Sequence, residues 1–232
     1  MIFACIAAGG TGSRMGLDIP KQFAKISGKP IIIYTLEQFL KVEKIDKIYI
    51  GCHKDWAQYL RDILKEQSFD PERIEVIDGG RDRNDTILGC AYRIAEQYGS
   101  KEHIFITHDS VRPFVTPEII RKNIEACKEH GFAGTYVAAT DTIAISSDGV
   151  TVDSVPNRKT LYNAQTPQTF MLDGLIEAYE SLDEQKRSMI TDTCSVITLT
   201  GGKIYIVEGD YTNIKITTIS DLTAAKALAY RK

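Results

Sequence analysis

The first residues able to do chemistry form a glycine-rich loop directly after an apolar segment at the start of the chain. It reads Ala7-Ala8-Gly9-Gly10-Thr11-Gly12 and continues to Gly16. Glycine has no Cβ, so the backbone can approach a ligand closely and point several N–H groups at one anion. The loop therefore predicts a cradle for phosphate.

Two basic residues, Arg14 and Lys21, flank these glycines and lie seven positions apart. Isolated surface lysines and arginines are usually only solvated charges. Beside a glycine cradle that follows a buried strand, we expect both side chains to face phosphate instead.

Two familiar phosphate-binding motifs fit this loop poorly. A dinucleotide fingerprint requires a third glycine where Met15 stands, and no acidic residue for a ribose follows the second predicted strand at Gly51-Cys52-His53. The Gly-Lys-Ser/Thr ending of a P-loop is also missing. A dinucleotide-dependent oxidoreductase remains only a remote alternative.

A second polar loop, Gly79 to Thr86, follows the third predicted strand. Its paired glycines offer backbone N–H and C=O groups to a nucleobase, and Thr86 adds a hydroxyl at the start of a helix. An ordinary capped turn is the alternative interpretation.

A third loop, His108 to Phe114, also follows a predicted strand. Asp109 is the candidate Mg²⁺ ligand, because Mg²⁺ prefers one or two carboxylates together with substrate phosphates. Arg112 is placed to contact a phosphate or to orient Asp109, and His108 is expected to be a packed or hydrogen-bonded histidine. Asp109 merely capping a turn is the alternative.

Alternating strands and helices must position these loops. This alternation predicts an α/β fold, a three-layer sandwich with a mainly parallel sheet, in which the loops after the strands open on one rim. The predicted strands are Ile2–Ala8, Lys47–Cys52, Ile74–Ile77 and His103–Thr107, and the predicted helices are Pro30–Val42, Asp55–Gln67, Asp85–Tyr98 and Pro117–His130.

After Gly134 the alternation stops, and two strands, Thr135–Ile145 and Val150–Val155, predict an antiparallel hairpin. A two-stranded ribbon is marginal in water, so a second copy of the chain is the expected support. We expect one domain over 1–232 with this β-arm at about 135–160. The remaining predicted elements are a helix at Leu172–Leu182, a strand at Lys203–Val207 and a helix from Ser220 to about Tyr230.

Composition narrows the class of protein. A formal charge of −3 gives none of the positive electrostatic field that non-specific nucleic-acid binding requires. No apolar run approaches the roughly 18 residues of a membrane span. The start of the chain lacks the pattern of a secretory signal, so we expect a cytoplasmic protein. The five scattered cysteines suggest neither disulfides nor a zinc site and are expected to be buried.

Six ordered motifs together resemble the cytidylyltransferases that act on polyol phosphates. This family includes the 2-C-methyl-D-erythritol 4-phosphate enzymes of isoprenoid synthesis and the ribitol-5-phosphate enzymes of teichoic-acid synthesis. The resemblance implies a Rossmann-like domain whose protruding β-hairpin arm interlocks a homodimer. Besides the three loops, the motifs are Tyr162–Phe170, Thr191–Thr193 and Asn213–Thr218.

The same resemblance implies roles for individual residues. Arg14 and Lys21 would stabilise the transition state, Arg158 and Lys215 would position the polyol phosphate, and Asp109 would hold Mg²⁺. Residues that would bind the substrates are Ala7, Ala8, Gly9, Gly10, Thr11, Gly12, Gly80, Arg81, Asp82, Asn84, Thr86, Ser110, Arg112, Thr142 and Thr166.

The implied reaction transfers CMP from CTP to a polyol phosphate. D-ribitol 5-phosphate is the favoured acceptor, because Ser110 and Val111 stand where the isoprenoid branch usually has two alanines. The segment Gln165–Phe170 also resembles the ribitol-phosphate branch of the family. 2-C-methyl-D-erythritol 4-phosphate is the alternative acceptor, and a nucleotide-binding regulator without catalysis is the alternative to an enzyme.

Overall fold

The computed structural model describes residues 1–10 and 19–230. A seven-stranded sheet runs through this described part in the order β5-β4-β1-β6-β8-β7-β9. The neighbouring pairs are parallel except those that β8 makes with β6 and β7. The strands are β1 Ile2–Ala8, β4 Lys47–Cys52, β5 Ile74–Asp78, β6 Ile104–Asp109, β7 Phe132–Ala138, β8 Tyr162–Met171 and β9 Tyr205–Glu208, with a small separate pair formed by β2 Lys25–Ile26 and β3 Lys29–Pro30.

Helices cover both faces of this sheet, which confirms the predicted three-layer α/β sandwich. The helices are α1 Ile31–Leu40, α2 Lys54–Glu66, α3 Arg83–Tyr98, α4 Pro117–His130, α5 Leu172–Glu180, α6 Glu184–Ser188, α7 Thr193–Leu199 and α8 Ile219–Ala229. Side chains alternate along β1, so Ala4 and Ile6 pack on one face with α1, α2 and α4, while Phe3 and Cys5 pack on the other with α3, α5 and α7.

Capping residues determine where two of these helices begin. Thr116 accepts a hydrogen bond from the Ile119 N–H before α4, and Pro117 occupies the first turn, as predicted. Helix α3 begins at Arg83, two residues before the predicted start, because the Asp82 carboxylate accepts from the Asp85 N–H.

The predicted hairpin is wrong in its strand boundaries. Strand β7 ends at Ala138, and between it and β8 the only pairing in the described structure is one antiparallel bridge, Ile145 to Ser154. Nearly every residue from 140 to 163 is exposed. With no surface covering it, a two-stranded ribbon gains too little burial to form a regular ladder.

Three elements of the second half were not predicted. Strand β8 is the reversed strand between β6 and β7, and its polar sequence has no clear alternation of apolar and polar residues that would predict a strand. Helices α6 and α7 are five and seven residues long, too short for a helical period to be recognised. All five cysteines are buried and none forms a disulfide. Within the described ranges, no helix is long and apolar enough to cross a membrane.

A buried hydrogen-bond chain joins β6 to β8 beside the sheet rim. The Thr166 hydroxyl accepts the Asp109 N–H at 3.1 Å and donates to His108 Nδ1 at 2.9 Å. His108 Nε2 lies 3.2 Å from the Arg112 carbonyl, which can only accept, so Nε2 carries the proton. Burial lowers the pKa of His108 to about 3, and the expected packed, hydrogen-bonded histidine is confirmed.

The neutral state of His108 makes the stability of the fold dependent on pH. The folded protein keeps the imidazole uncharged, whereas the unfolded chain protonates it near pH 6.5, so stability is fully present above that pH and is lost as pH falls towards 3. We expect His108→Asn, whose amide does not titrate and can still accept from the Thr166 hydroxyl, to flatten this slope by about 1.4 kcal/mol per pH unit.

Urea unfolding of both proteins between pH 4 and pH 7 measures the slope. The difference in unfolding free energy between parent and variant at pH 7 serves as the reference. Two curves that stay parallel from pH 7 to pH 4 would show that His108 is already charged in the folded protein.

Candidate active site

An open cavity of about 440 Å³ lies at the rim where the parallel strands end. Its position follows from register: Ala7 pairs with Gly51 and with Asp109, and Cys52 pairs with Asp78, so the loops after β1, β4, β5 and β6 begin side by side. The described lining residues are Ala7, Gly9, Gly10, Lys21, Gln22, His53, Gly80, Arg81, Asp82, Arg83, Asp109, Ser110, Val111 and Lys215.

The glycine loop is held against the cavity by Gln22. Its buried side-chain amide donates to the carbonyls of Ala8, at 2.7 Å, and Gly10, at 3.1 Å. These bonds fix the short 3-10 helix Lys21–Phe23 beside the end of β1 and bring Lys21 to the cavity wall.

The second loop is closed by the hydroxyl of Thr86. This oxygen accepts from the Gly80 N–H at 2.9 Å and donates to the Asp82 carbonyl at 2.7 Å. A Cβ on Gly51 would collide with the Thr86 side chain, and one on Gly80 would lie 2.8 Å from Asp85. Both glycines are therefore required for this close packing, which leaves Gly80 to Arg83 facing the cavity.

Asp109 is the centre of charge in the site. Its carboxylate is 7% exposed and pairs with three described basic side chains. Arg83 Nε lies 2.6 Å from Oδ1, while Lys215 Nζ and Arg112 Nε lie 3.0 Å and 3.4 Å from Oδ2. Burial alone raises the pKa of Asp109, but Arg83, Lys215 and Arg112 outweigh it and hold this pKa well below its usual range.

A distant segment delivers Lys215 to this carboxylate. Asn213 is fully buried, and its side-chain amide donates to the Thr166 backbone carbonyl at 2.9 Å. The backbone carbonyl of Asn213 accepts from Arg112 Nη1 at 2.8 Å. Three residues further, the Ile216 N–H donates to the Val111 carbonyl at 2.9 Å. Lys215 lies between these anchors and faces Asp109.

The donor set fits Mg²⁺ of the kind that is bound with a substrate. One buried carboxylate faces a glycine cradle, and Mg²⁺ takes one or two carboxylates plus substrate phosphates rather than a protein cage. Over residues 1–10 and 19–230, no group of three or more His, Cys, Asp or Glu side chains forms such a cage. Lys215 now holds Oδ2, and its side chain is 40% exposed, so it has room to move aside.

Several predicted site residues lie elsewhere in the described structure. Arg158 and Thr142 are exposed between β7 and β8 and do not line the cavity, and Arg158 donates to the Thr140 carbonyl at 2.9 Å. Asn84 donates to the Ile190 carbonyl, on the side of α3 that faces away from the cavity. Four more predicted residues lie behind the cavity wall, and three lie outside the described residues. The buried four are Ala8, Thr86, Arg112 and Thr166, and the other three are Thr11, Gly12 and Arg14.

Four cavity residues were not among the predicted site residues: Gln22, His53, Arg83 and Val111. Arg83 stands inside the second predicted loop and Gln22 directly follows Lys21, but their contacts run 12 or more residues along the chain. His53 follows β4, and the same rule that placed the other loops at this rim could have found it.

The chain is similar over almost its whole length to known proteins. The family model for 2-C-methyl-D-erythritol 4-phosphate cytidylyltransferase, IspD, matches residues 2–231. The crystal structure of 4-diphosphocytidyl-2C-methyl-D-erythritol synthase from Anaerococcus prevotii is 30% identical with a TM-score of 0.82, and the match covers 100% of this chain and 99% of that chain.

Two further structures carry the name 2-C-methyl-D-erythritol 4-phosphate cytidylyltransferase. The protein from Francisella tularensis is 28% identical with a TM-score of 0.80, covering 97% of this chain and 98% of that chain. The one from Thermus thermophilus, at 24% identity and TM-score 0.72 over 98% of each chain, shows similarity of fold alone. With the family model matched from Ile2 to Arg231, this chain belongs to the IspD family and is a cytidylyltransferase, an enzyme of the nucleotidyltransferase class.

Proposed function

We propose that the enzyme transfers CMP from CTP to 2-C-methyl-D-erythritol 4-phosphate, releasing pyrophosphate. The observation that carries the proposal is the convergence of Lys21, Arg83 and Lys215 on a glycine-walled cavity around one buried carboxylate, Asp109. The acceptor is the one named by the family model and by the similar structures.

The nucleophile in this reaction is a phosphate oxygen of the acceptor, which attacks the α-phosphorus of CTP. A phosphate monoester has its second pKa near 6 and is largely ionised at pH 7, so the step needs no general base. This agrees with the site, where His108 is buried behind the wall and stays neutral.

Repulsion between two anions is the barrier that the side chains must lower. The described lining of the cavity has four basic and two acidic side chains, which leaves it positive. Two unit charges 4 Å apart interact by about 1 kcal/mol in water and about 4 kcal/mol at an effective dielectric near 20, so several such cations bring the reactants together. Lys21, beside the glycine cradle, is placed to bind charge that develops on phosphate oxygens in the transition state.

Asp109 is the residue that would hold Mg²⁺, which supplies positive charge to phosphate oxygens when bound. Lys215, released from Oδ2, would then bind the phosphate of the acceptor. Ser110 and the backbone of Gly9, Gly10 and Gly80 line the same cavity, where they can orient the nucleotide.

A homodimer joined through residues 139–161 is part of this proposal. The segment exposes five aliphatic side chains and carries Arg158, which lies away from the cavity of its own chain. A second copy would cover the apolar side chains and could receive Arg158 in its site. The exposed aliphatic residues are Ile143, Ile145, Val150, Val152 and Val155.

Cytoplasmic localisation stays a prediction.

D-ribitol 5-phosphate is the second candidate acceptor, and Val111 is the observation that favours it. Val111 is buried and lines the cavity next to Ser110, so the two residues that differ from the usual isoprenoid pattern shape the pocket wall itself. Selectivity between two polyols depends on such contacts around a few hydroxyl and methyl groups.

A panel of acceptors tests the class and the substrate together. With CTP and Mg²⁺, we expect pyrophosphate release with 2-C-methyl-D-erythritol 4-phosphate to exceed that with D-ribitol 5-phosphate in kcat/KM by at least about tenfold, because each acceptor leaves a different set of polar contacts unpaired. The reverse ranking would identify the second candidate, and no release with either would contradict the proposed function.

Lys21→Ala should slow the chemical step more than it weakens nucleotide binding. Loss of one donor to developing negative charge typically costs about 10²- to 10³-fold in kcat. We expect that loss with a change below about fivefold in the KM for CTP. Lys25→Ala, an exposed lysine on the neighbouring β2, is the matched control. Turnover by Lys21→Ala near the parental rate would remove this residue from the mechanism.

Lys215→Ala and Arg158→Ala should chiefly raise the KM for the polyol phosphate, by about tenfold or more for loss of a charge-assisted contact. Steady-state kinetics with each substrate varied in turn measures this, and Lys159→Ala, exposed beside Arg158, is the control. If instead the KM for CTP rises while that for the acceptor is unchanged, the two residues serve the other end of the cavity.

Mixing the Lys21→Ala and Arg158→Ala proteins, assayed at an acceptor concentration well below the parental KM so that each variant alone turns over slowly, separates the two possible sites of Arg158. If Arg158 acts in the partner's site, each mixed dimer contains one site with both residues intact, and activity returns. If it acts in its own chain, every site lacks one of the two residues and activity does not return.

A further inference from the structure

The side chain of Arg83 connects three separate parts of the chain at the cavity wall. It is the first residue of α3, its Nε donates to Asp109 Oδ1 at the end of β6, and its Nη1 lies 3.3 Å from Thr193 Oγ1 at the start of α7. Thr193 is also bonded to Thr107 on β6. The guanidinium of Arg83 is thus held by two buried partners, Asp109 and Thr193.

The two oxygens of Asp109 are held very differently. Oδ1 has the shortest contact, 2.6 Å, to Arg83, whose side chain is 23% exposed and anchored by Thr193. Oδ2 has the looser contacts, 3.0 Å to the 40% exposed Lys215 and 3.4 Å to Arg112. One oxygen is therefore fixed, while the other has a partner that can leave.

Without Arg83, a different arrangement of the carboxylate would be favoured. Arg112 is buried directly behind Asp109, and its other donors already bond to the carbonyls of Asn213 and Ala164. Rotation of the carboxylate towards this fixed guanidinium would replace the lost contact with Arg83. It would also turn Oδ2 away from the cavity.

We propose that Arg83 is a positioning residue: by binding Asp109 Oδ1 it orients the carboxylate so that Oδ2 faces the cavity, available to Lys215 in the free enzyme and to Mg²⁺ that would bind with the substrates. This proposal rests on the proposed function for its kinetic consequences. Because Arg83 also begins the helix that follows Gly79 and Gly80, it links the position of that loop to the position of Asp109.

Kinetics of Arg83→Gln and Arg83→Lys test the role. We expect Arg83→Gln to lower kcat by about 30-fold or more and to raise the KM for the polyol phosphate, since Lys215 loses its oriented partner. Arg83→Lys keeps one charged contact to Oδ1 and should recover at least about tenfold of the loss in kcat/KM. Arg93→Gln is the control, because the exposed Arg93 lies on the same helix and pairs with the partly buried Glu75 away from the cavity, and it should stay within twofold of the parent.

A purely structural role has a different signature. It would lower the melting temperature of Arg83→Gln but leave kcat and both KM values of the folded protein within threefold of the parent, measured at least 15 °C below its melting temperature. That result would overturn the proposal. Equal impairment of Arg83→Lys and Arg83→Gln would overturn it as well, because charge at Oδ1 would then be irrelevant.

Crystal structures of the parent and of Arg83→Gln test the same claim without turnover. We expect the Asp109 carboxylate to rotate towards Arg112 in Arg83→Gln and to keep the parental orientation in Arg83→Lys. An unchanged carboxylate in Arg83→Gln would overturn the proposal even if the enzyme is active. Rotation in a protein whose parent transfers CMP to no polyol phosphate would keep the positioning role and reject the proposed function.

Discussion

The burial of the Asp109 carboxylate is the constraint on which the rest of the site depends. An isolated charge in a protein interior is very costly, and burial is tolerated only when the charge is paired and hydrogen-bonded. Arg83, Arg112 and Lys215 provide this pairing, and they come from the start of α3, the loop after β6 and the segment before α8. One carboxylate therefore holds together three regions that are far apart in sequence.

The same cluster gives the site its chemical character. One negative charge among three described cations leaves an excess of positive charge at the rim, where the glycine loop and Lys21 also face the cavity. Such a site suits a reaction between two anionic substrates better than one that needs proton transfer. The neutral His108 supports the loop through Thr166 and Arg112, so its function is structural.

Most of the fold could be predicted, and the failures share a cause. Periodicity found β1, β4, β5, β6 and the helices between them, because buried parallel strands and amphipathic helices have strong local patterns. The reversed strand β8 is polar, and its place in the sheet depends on neighbours 24 or more residues away. The segment between β7 and β8 carried a hairpin pattern, but one chain alone offers nothing to cover it.

Resemblance to the cytidylyltransferase family identified Lys215. The amino-acid sequence by itself determined the alternating α/β fold, the three loops at one rim and the identity of Lys21 and Asp109 as charged residues of the site. These features follow from local patterns and from the rule that parallel strands end at one edge. Only the tertiary structure decided which cations pair with which oxygen of Asp109, that Thr166 and Arg112 lie behind the cavity wall, and that Arg83 belongs to the site. The reason is that ion pairs and burial depend on distances in space, which residues such as Asp109 and Lys215, 106 positions apart, acquire only when the chain is folded.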